Sequence, residues 1–376
     1  MDFAFSEEQE MLRRSARDFL AKECPPKVVR KLMEGDDAYD AALWKKLAGL
    51  GWTALGIPEG YGGVGSFLDL VVVLEEAGRA LLPGPFFATM GLAVPVLLES
   101  GSETHKKEVL TAIAAGAARA TLALTEPSGR WDASAITVQA RQSGGGWRLD
   151  GVKQFVPDAL HADYIVVAAR TRGEGEDGIS LFLVKGRPAG MTVSPLKTMD
   201  MTRRWSEIRF QGVELPADAL MGAADTAWPR LKRALEWSTA ALCAEMCGGS
   251  QKVLEASTEY AKTRQQFGKP IGIYQAVSHR IADMLVLTES SKSATYYAAW
   301  AVEADAPDRA LASSMAKAYV SDAYRQVAGD GIQVHGGIGF TWEHDMHLYF
   351  KRAKSSEVTL GDATYHRELV AQALDL

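Results

Sequence analysis

The sequence has few cysteines and no long apolar run, and both absences narrow the class of protein. Its cysteines are Cys24, Cys243 and Cys247. An odd count, with the last two residues four apart on a predicted helix, matches neither a disulfide framework nor a metal or redox spacing. We therefore expect buried thiols in a reducing compartment. No stretch reaches the roughly 18 consecutive apolar residues of a spanning helix, so we expect no membrane insertion.

Excess basic charge is also missing. The 376 residues include 41 Lys and Arg against 47 Asp and Glu, for a net charge of -6. This balance weighs against nucleic acid or an anionic membrane as a partner. The N-terminus is acidic and lacks the basic-then-apolar pattern of a signal peptide, so we predict a cytoplasmic protein.

Helical, strand and helical patterns follow one another along the chain. In the first part, Ser6 with Gln9 three residues later predicts a helix start with a capping box. After residue 120 come short alternating runs bounded by Gly, Pro and Asp, typical of an antiparallel sheet. Long helical patterns then return from about residue 226 and predict a bundle. The predicted fold class is α+β, with a helical N-terminal domain (1–120), a middle antiparallel β domain (121–225) and a C-terminal helical bundle (226–376).

The segment "GYGGVG", residues 60–65, fits the dinucleotide-binding pattern G-x-G-x-x-G. That motif needs a preceding strand and alternating strand–helix units, and this segment has helical surroundings. We interpret it as a glycine turn before a helix.

Two other stretches are more informative. In "TRQQFGKPIGIYQAV", a helix carrying Arg264 ends near Phe267, and a new helix starts near Gln275. A guanidinium at such a helix end suits bidentate contact with a pyrophosphate, although an ordinary helical hairpin is an equal alternative. In "QVHGGIGF", the glycines permit close approach of a phosphate or of another chain. This stretch and the residues just after it contain three histidines, His335, His344 and His347. We interpret them as surface or packing residues and predict no metal site.

These stretches, together with "MDFAFSEEQ", "IPEGYGG" and "LALTEPSGRWDAS" in the same order, resemble the acyl-CoA dehydrogenase family over essentially the whole chain. The family's members are flavoproteins that desaturate acyl-CoA thioesters between the α and β carbons. The resemblance implies a helical N-terminal domain, a middle β domain, a C-terminal four-helix bundle and FAD as cofactor.

The resemblance also implies which residues contact FAD. Arg264, Phe267 and Gln275 are expected to do so from one subunit, and Gln333, Gly336 and Gly337 from its neighbour; Leu124 and Thr125 are expected at the pyrimidine edge of the flavin, with Phe155 stacking on it. Where the family often has a threonine near flavin N5, this chain has Pro157. The loop that contacts CoA in the family is altered, which leaves Ser128 and Arg130 as the substrate-binding candidates.

The family's general base is missing. By register with the family, the usual glutamate corresponds to Leu360, which is followed by the matching Gly361, and the alternative position on an earlier helix corresponds to Ser238. The backbone N–H of Leu360 still suits the thioester carbonyl, and its side chain offers an apolar wall to the acyl group.

Three explanations stay open. Another carboxylate of this chain acts as base, with Glu245 and Asp362 as the candidates; each also has a structural alternative, an arginine pair for Glu245 and a helix cap for Asp362. Alternatively, the chain is one half of a hetero-oligomer whose partner supplies the base. In the third explanation, it performs a different reaction or keeps only the fold, as a non-catalytic flavin-binding or structural subunit.

The partners implied by the resemblance are an acyl-CoA substrate, a homo- or hetero-oligomer arranged as a dimer of dimers, and an electron-transfer flavoprotein or a similar acceptor. β-Oxidation in lipid metabolism is the pathway class that it implies.

Overall fold

The first helices form as their start signals predict. The computed structural model describes residues 5–35 and 39–376, so the first four letters of the opening motif lie outside the described residues. Ser6 Oγ accepts from Gln9 N and the Gln9 side chain accepts from Ser6 N, which confirms the capping box. The helices that follow are α1 (Glu7–Glu23), α2 (Pro26–Glu34), α3 (Ala41–Gly49), α4 (Phe67–Arg79), α5 (Val94–Ser100), α6 (Glu103–His105) and α7 (Thr111–Ala114), with π-helical turns at Phe87–Ala93 and Lys106–Leu110.

The glycine segment 60–65 forms the turn that the sequence predicts. A 3₁₀ turn, Glu59–Tyr61, ends at Gly62, whose φ of 82° is in the left-handed region. Helix α4 begins shortly afterwards, at Phe67.

A mixed sheet follows, with a largely antiparallel body. Its strands are β1 (Ala120–Ala123), β2 (Gln139–Ser143), β3 (Gly146–Pro157), β4 (Tyr164–Arg170), β5 (Ile179–Lys185), β6 (Met191–Leu196), β7 (Trp205–Leu215) and β8 (Leu220–Met221), in the order β6-β7-β3-β2-β4-β5-β8. Strand β1 pairs with β4 in parallel, and β2 meets β4 in parallel at one residue pair. The predicted antiparallel pairing holds for the other strand pairs of this sheet, and β4 departs from it because the chain passes through β2 and β3 before returning beside β1 in the same direction.

Long helices form the C-terminal part, as predicted. They are α8 (Ala227–Thr263), α9 (Gln275–Glu303), α10 (Arg309–His335), α11 (Met346–Val358) and α12 (Ala363–Ala373); a short hairpin of β9 (Gln265–Gln266) and β10 (Lys269–Pro270) joins α8 to α9. The cysteines Cys24, Cys243 and Cys247 are buried free thiols, as expected.

The chain divides into two compact units. The bundle unit contains Met1–Lys31, Phe67–Leu82 and Thr239–Leu376, and the sheet unit contains Leu32–Ser66 and Pro83–Ser238. The division at residues 120 and 225 stays a prediction, because α1 and α4 belong to the same compact unit as the C-terminal helices.

Within the bundle unit, α4 and α8 approach until their backbones touch. A Cβ at Gly78 would lie 1.9 Å from the Glu245 carbonyl oxygen, and one at Gly248 would lie 1.7 Å from the Glu75 carbonyl oxygen. Only glycine fits at such distances, which are far inside van der Waals contact. The pair of glycines therefore fixes how closely these two helices cross.

Glu75 connects this crossing to two further helices of the bundle unit. Its carboxylate accepts from Tyr296 Oη at 2.6 Å and pairs with Arg13 at 3.4 Å. Burial raises the pKa of Glu75 above its ordinary value, while Arg13 and the Tyr296 hydroxyl oppose that rise. A buried carboxylate is tolerated only with such partners, so α1 and α9 are held to α4 at this point.

In the sheet unit, a buried ion pair ties β3 to the segment after β1. Lys153 is fully buried, and its Nζ donates to Glu126 Oε1 at 2.7 Å and to the Leu124 carbonyl at 2.9 Å. Glu126 also accepts from the backbone N–H groups of Thr137 and Val138. Burial lowers the pKa of Lys153 to about 8, although Glu126 favours the charged form.

The crossing of α4 and α8 predicts a severe effect of a single methyl group. Gly248→Ala should lower the free energy of unfolding by about 1–3 kcal/mol, because the added Cβ overpacks against backbone. Gly329→Ala in α10 is the matched control, since its Cβ would meet only Phe350 at 3.8 Å. It should leave stability unchanged or raise it slightly. Thermal unfolding followed by circular dichroism measures both, and equal melting temperatures would contradict the assigned contact.

Because burial lowers the pKa of Lys153, we expect the stability of the fold to depend on pH. The unfolded lysine keeps its proton up to the ordinary pKa of 10.5, whereas the folded one releases it near 8. Unfolding therefore takes up a proton in this interval, so the free energy of unfolding should rise with pH there, by up to about 3 kcal/mol from this group. Lys153→Met should flatten that rise in urea denaturation.

Lys185→Met in β5 is the control for this pH dependence, because a hydrogen bond to Glu108 raises rather than lowers the pKa of Lys185. A rise of equal slope in wild type and Lys153→Met would refute the assignment.

Candidate active site

Each compact unit carries part of the predicted site. The sheet unit holds Leu124, Thr125, Ser128, Arg130 and Phe155; the bundle unit holds Glu245, Arg264, Phe267, Gln275, Gln333, Gly336, Gly337, Leu360, Gly361 and Asp362. The two sets are described separately below.

Leu124 and Thr125 directly follow β1, and β3 holds both of their carbonyls. Lys153 Nζ donates to the Leu124 carbonyl at 2.9 Å, and Gln154 N donates to the Thr125 carbonyl at 2.8 Å. Thr125 is only 7% exposed, yet its hydroxyl has no hydrogen-bond partner among the described residues. A fixed backbone beside a hydroxyl without a partner is suited to a polar ligand edge.

Phe155 lies at an irregularity in β3. The pairing of β3 with β7 shifts between Lys153 and Val156, and Phe155 between them has a φ of 50°. A phenylalanine in the left-handed region is strained, and its side chain is 47% exposed. The bulge therefore turns an aromatic ring out of the sheet unit's core.

The loop carrying Ser128 and Arg130 is ordered by its own polar contacts. Arg130 forms an exposed ion pair with Asp132 at 2.8 Å and donates to Ser134 Oγ at 3.0 Å. Arg130 N donates to Ser128 Oγ at 3.4 Å. A phosphate bound by Arg130 would have to share the guanidinium with Asp132.

The turn after α8 presents three predicted cofactor residues. Phe267 and Gly268 connect β9 to β10 with φ values of 53° and 74°, as in a tight hairpin. The Phe267 side chain is 91% exposed. Arg264 just before the hairpin is exposed and has no ion pair within the described part of the chain, and Gln275 is the exposed first residue of α9.

The end of α10 lies beside the end of α8. The His335 ring stacks on Tyr260 of α8, with centroids 4.4 Å apart, and His335 Nδ1 bonds to the Gly331 carbonyl. His335 and His347 are buried packing residues, in agreement with their interpretation from the sequence. Gln333 is exposed two residues before the helix ends.

Gly336 and Gly337 leave space for a ligand. Gly336 has φ 65° and ψ −144°, a conformation that only glycine adopts readily. A Cβ at either residue would meet nothing within 4 Å. A ligand can therefore approach the backbone closely at this end of the bundle unit.

These residues fit FAD. The uncompensated guanidinium of Arg264 and the open backbone at Gly336 and Gly337 suit a pyrophosphate. An exposed aromatic ring at Phe155 and an unpartnered hydroxyl at Thr125 suit an isoalloxazine ring with a polar edge.

The segment that the sequence register predicts to hold the family's base forms a left-handed turn between α11 and α12. Leu360 has φ 62° and Gly361 has φ 95°. The Gly361 N–H closes the hydrogen-bonded turn at Thr359–Leu360, whereas the Leu360 N–H has no acceptor among the described residues. Asp362 is exposed, and its carboxylate caps α12 by accepting from Tyr365 N at 2.8 Å.

The other candidate base, Glu245, is buried and paired. Its Oε1 accepts from Arg352 at 3.1 Å, and the two side chains are 4% and 2% exposed. To act as a base, Glu245 would have to leave this buried ion pair. Ser238 is also buried, and its hydroxyl donates to the Ala234 carbonyl.

Sequence reasoning missed the two buried lysines that support the site, Lys153 and Lys317. Strand alternation from the inward residues Trp147 and Leu149 places Lys153 inward, which was a usable signal. Lys317 lies four residues before Ser321 and seven before Tyr324, both on the buried face of α10. A charged residue on an inward face signals a buried partner.

Family models match three consecutive parts of the chain. The N-terminal domain of acyl-CoA dehydrogenase matches residues 6–117, the middle domain residues 121–213 and the C-terminal domain residues 227–374. No helix among the described residues is long and apolar enough to cross a membrane.

Individual proteins match along the full length. Acyl-CoA dehydrogenase IpdE2 of Mycobacterium tuberculosis is 36% identical over 353 residues, which cover 93% of this chain and 92% of that protein. The structure of butyryl-CoA dehydrogenase from Megasphaera elsdenii has 27% identity and a TM-score of 0.93, covering all of both chains. A chain of the ChsE4–ChsE5 complex from Mycobacterium tuberculosis has 30% identity and a TM-score of 0.89, covering 100% of this chain and 99% of that one.

The predicted family, fold class and cofactor are thus confirmed. The chain belongs to the acyl-CoA dehydrogenase family, FAD-dependent oxidoreductases that act on CH–CH bonds.

Proposed function

We propose that this chain is one subunit of a hetero-oligomeric acyl-CoA dehydrogenase, in which it binds FAD and polarises the thioester while a partner chain supplies the base. The reaction is removal of hydrogen across the α and β carbons of an acyl-CoA. Bound FAD supplies the hydride acceptor. This proposal is carried by Leu360, which stands at the position of the family's base.

The structural role of the buried candidate carboxylate favours a base that is supplied by a partner chain. Glu245 is held by Arg352 in the interior, so using it as a base would break a buried ion pair. Relatives of similar fold include a complex of two differently named chains, ChsE4 and ChsE5. An assembly in which related chains divide the site between them accounts for a chain without its own base.

Asp362 is the second candidate. It is exposed and lies two residues after Leu360, on the same turn. Its capping bond uses one carboxylate oxygen on Tyr365 N and leaves the other available for a proton. In this alternative, the chain is a self-sufficient enzyme with a displaced base.

The FAD contacts are proposed residue by residue. Arg264, Phe267 and Gln275 bind the cofactor from one subunit, and Gln333, Gly336 and Gly337 bind it from a neighbour, in a dimer of dimers. Leu124 and Thr125 hydrogen-bond the flavin edge, and Phe155 stacks on the ring. Ser128 and Arg130 contact the CoA moiety. An electron-transfer flavoprotein accepts the electrons, in the β-oxidation of lipids in the cytoplasm.

Arg264→Ala should reduce FAD retention, because the pyrophosphate loses a bidentate cation. The expected loss is about tenfold in affinity, corresponding to a charge-assisted hydrogen bond of about 1.5 kcal/mol. FAD released on gel filtration measures it. Lys262→Ala is the control, since Lys262 is an exposed cation two residues away that pairs with Glu259. Equal FAD content in wild type and Arg264→Ala would reject the assignment.

The source of the base is tested by anaerobic bleaching of the flavin with short, medium and long acyl-CoA thioesters. If a partner supplies the base, the chain alone should not bleach, and Leu360→Glu should gain bleaching because it installs a carboxylate at the family position. Bleaching by the wild-type chain that disappears in Asp362→Asn would instead establish the second candidate. Glu245→Gln serves as the comparison for a buried structural carboxylate.

A further inference from the structure

A buried lysine and a buried histidine lie against the Leu360–Gly361 turn in the bundle unit. Lys317 Nζ donates to the Gly361 carbonyl at 2.8 Å. His366 Nε2 donates to the Leu360 carbonyl at 2.8 Å. Both carbonyls of the turn are therefore bonded to side chains in the protein interior.

Lys317 joins three elements at this point. It lies in α10 and is fully buried, and besides Gly361 it donates to the Glu357 carbonyl and to Ser321 Oγ, each at 2.9 Å. The Glu357 carbonyl belongs to the last turn of α11, where carbonyls lack partners within the helix. All three donors of the ammonium are thus used, and a cation at a helix C-terminus is favoured electrostatically.

His366 can donate to Leu360 in only one tautomer. A carbonyl oxygen only accepts, so Nε2 carries the proton and Nδ1 has a bare lone pair, which is buried and has no partner within the described part of the chain. Burial, together with the nearby Lys317, lowers the pKa of His366 to about 4. The ring is therefore neutral near pH 7, and its donor faces the turn.

The turn needs this support. Leu360 has a left-handed φ of 62°, which a residue other than glycine adopts only under constraint. A Cβ at Gly361 would lie 2.3 Å from the Tyr365 ring, so the turn also packs tightly on the start of α12. With the carbonyls of Leu360 and Gly361 bonded inward and Thr359–Leu360 in a hydrogen-bonded turn closed by the Gly361 N–H, the Leu360 N–H is left without an acceptor among the described residues. A backbone N–H held at a fixed place can bind an electron-rich oxygen.

We propose that Lys317 and His366 are positioning residues that hold the Leu360–Gly361 turn so that the Leu360 N–H binds the carbonyl oxygen of an acyl thioester. This inference rests on the proposed function, since it concerns the substrate contact of the same site. It adds that the contact depends on two side chains that never touch the substrate.

The test compares two ligands that differ in the carbonyl oxygen alone. FAD-loaded wild type is titrated with 2-enoyl-CoA thioesters of short, medium and long chain, which cannot be desaturated again between the α and β carbons. Each is paired with the thioether in which a methylene replaces the carbonyl. Wild type should prefer the thioester, and His366→Leu and Lys317→Met should reduce that preference about threefold to tenfold, the effect of one hydrogen bond.

Two further variants separate positioning from general stability. His366→Gln restores an N–H donor and should recover the preference. Thr359→Val removes a hydroxyl that bonds only to the Ser355 carbonyl, next to the turn, and should keep it. Because His366→Leu and His366→Gln can be compared with each other, the test does not depend on whether Lys317→Met folds. Melting temperature and FAD content identify variants whose overall fold is destabilised.

The outcomes are distinct. A wild type that prefers the thioester, with the same preference in His366→Leu and Lys317→Met, overturns the positioning roles and leaves the proposed function standing. A wild type that binds both ligands equally refutes the carbonyl contact itself. A wild type that binds neither ligand at any chain length overturns the proposed function and this inference with it.

Discussion

Much of the bundle unit depends on the contact between the backbones of α4 and α8. Gly78 and Gly248 allow each helix to rest on a carbonyl of the other. Those carbonyls belong to Glu245 and Glu75, so the crossing fixes two buried carboxylates within the same region. Because an unpaired buried charge is costly, each requires a partner: Arg352 for Glu245, and Arg13 with Tyr296 for Glu75. A constraint of helix packing thus determines which acidic groups remain available for chemistry.

The reaction of the family requires two different kinds of group. Polarising a thioester carbonyl requires N–H groups at a fixed place, and backbone supplies these whatever the side chain is. Taking the α proton requires a carboxylate, which only a side chain supplies. Under the proposed function, a leucine at position 360 therefore removes one half of the chemistry and leaves the other half intact. The two functions can then be divided between chains.

Local features of the fold were predictable from the sequence, and long-range ones were not. The Ser6 cap and the turn at Gly62 depend on residues a few positions apart, and both were predicted correctly. The parallel pairing of β1 with β4 and the bulge at Phe155 depend on strands far away in sequence, and neither was predicted. Glu245 shows the same limit, because the sequence offered an arginine pair as one alternative but did not identify Arg352, 107 residues away, as the partner. A side chain's chemistry is set by its partners, which a single sequence does not reveal.

In each of the two units, a buried lysine donates a hydrogen bond to a backbone carbonyl next to predicted site residues. In the sheet unit, Lys153 bonds to the carbonyl of Leu124; in the bundle unit, Lys317 bonds to the carbonyl of Gly361. Both lysines are fully buried, and burial lowers the pKa of each to about 8. An apolar side chain would avoid that desolvation but would leave the carbonyls unpaired in the interior. A segment whose N–H groups are reserved for a ligand cannot use them on regular secondary structure, so its carbonyls lose their usual partners as well. A long cationic side chain reaching from a neighbouring element satisfies those carbonyls without using any backbone N–H of the segment.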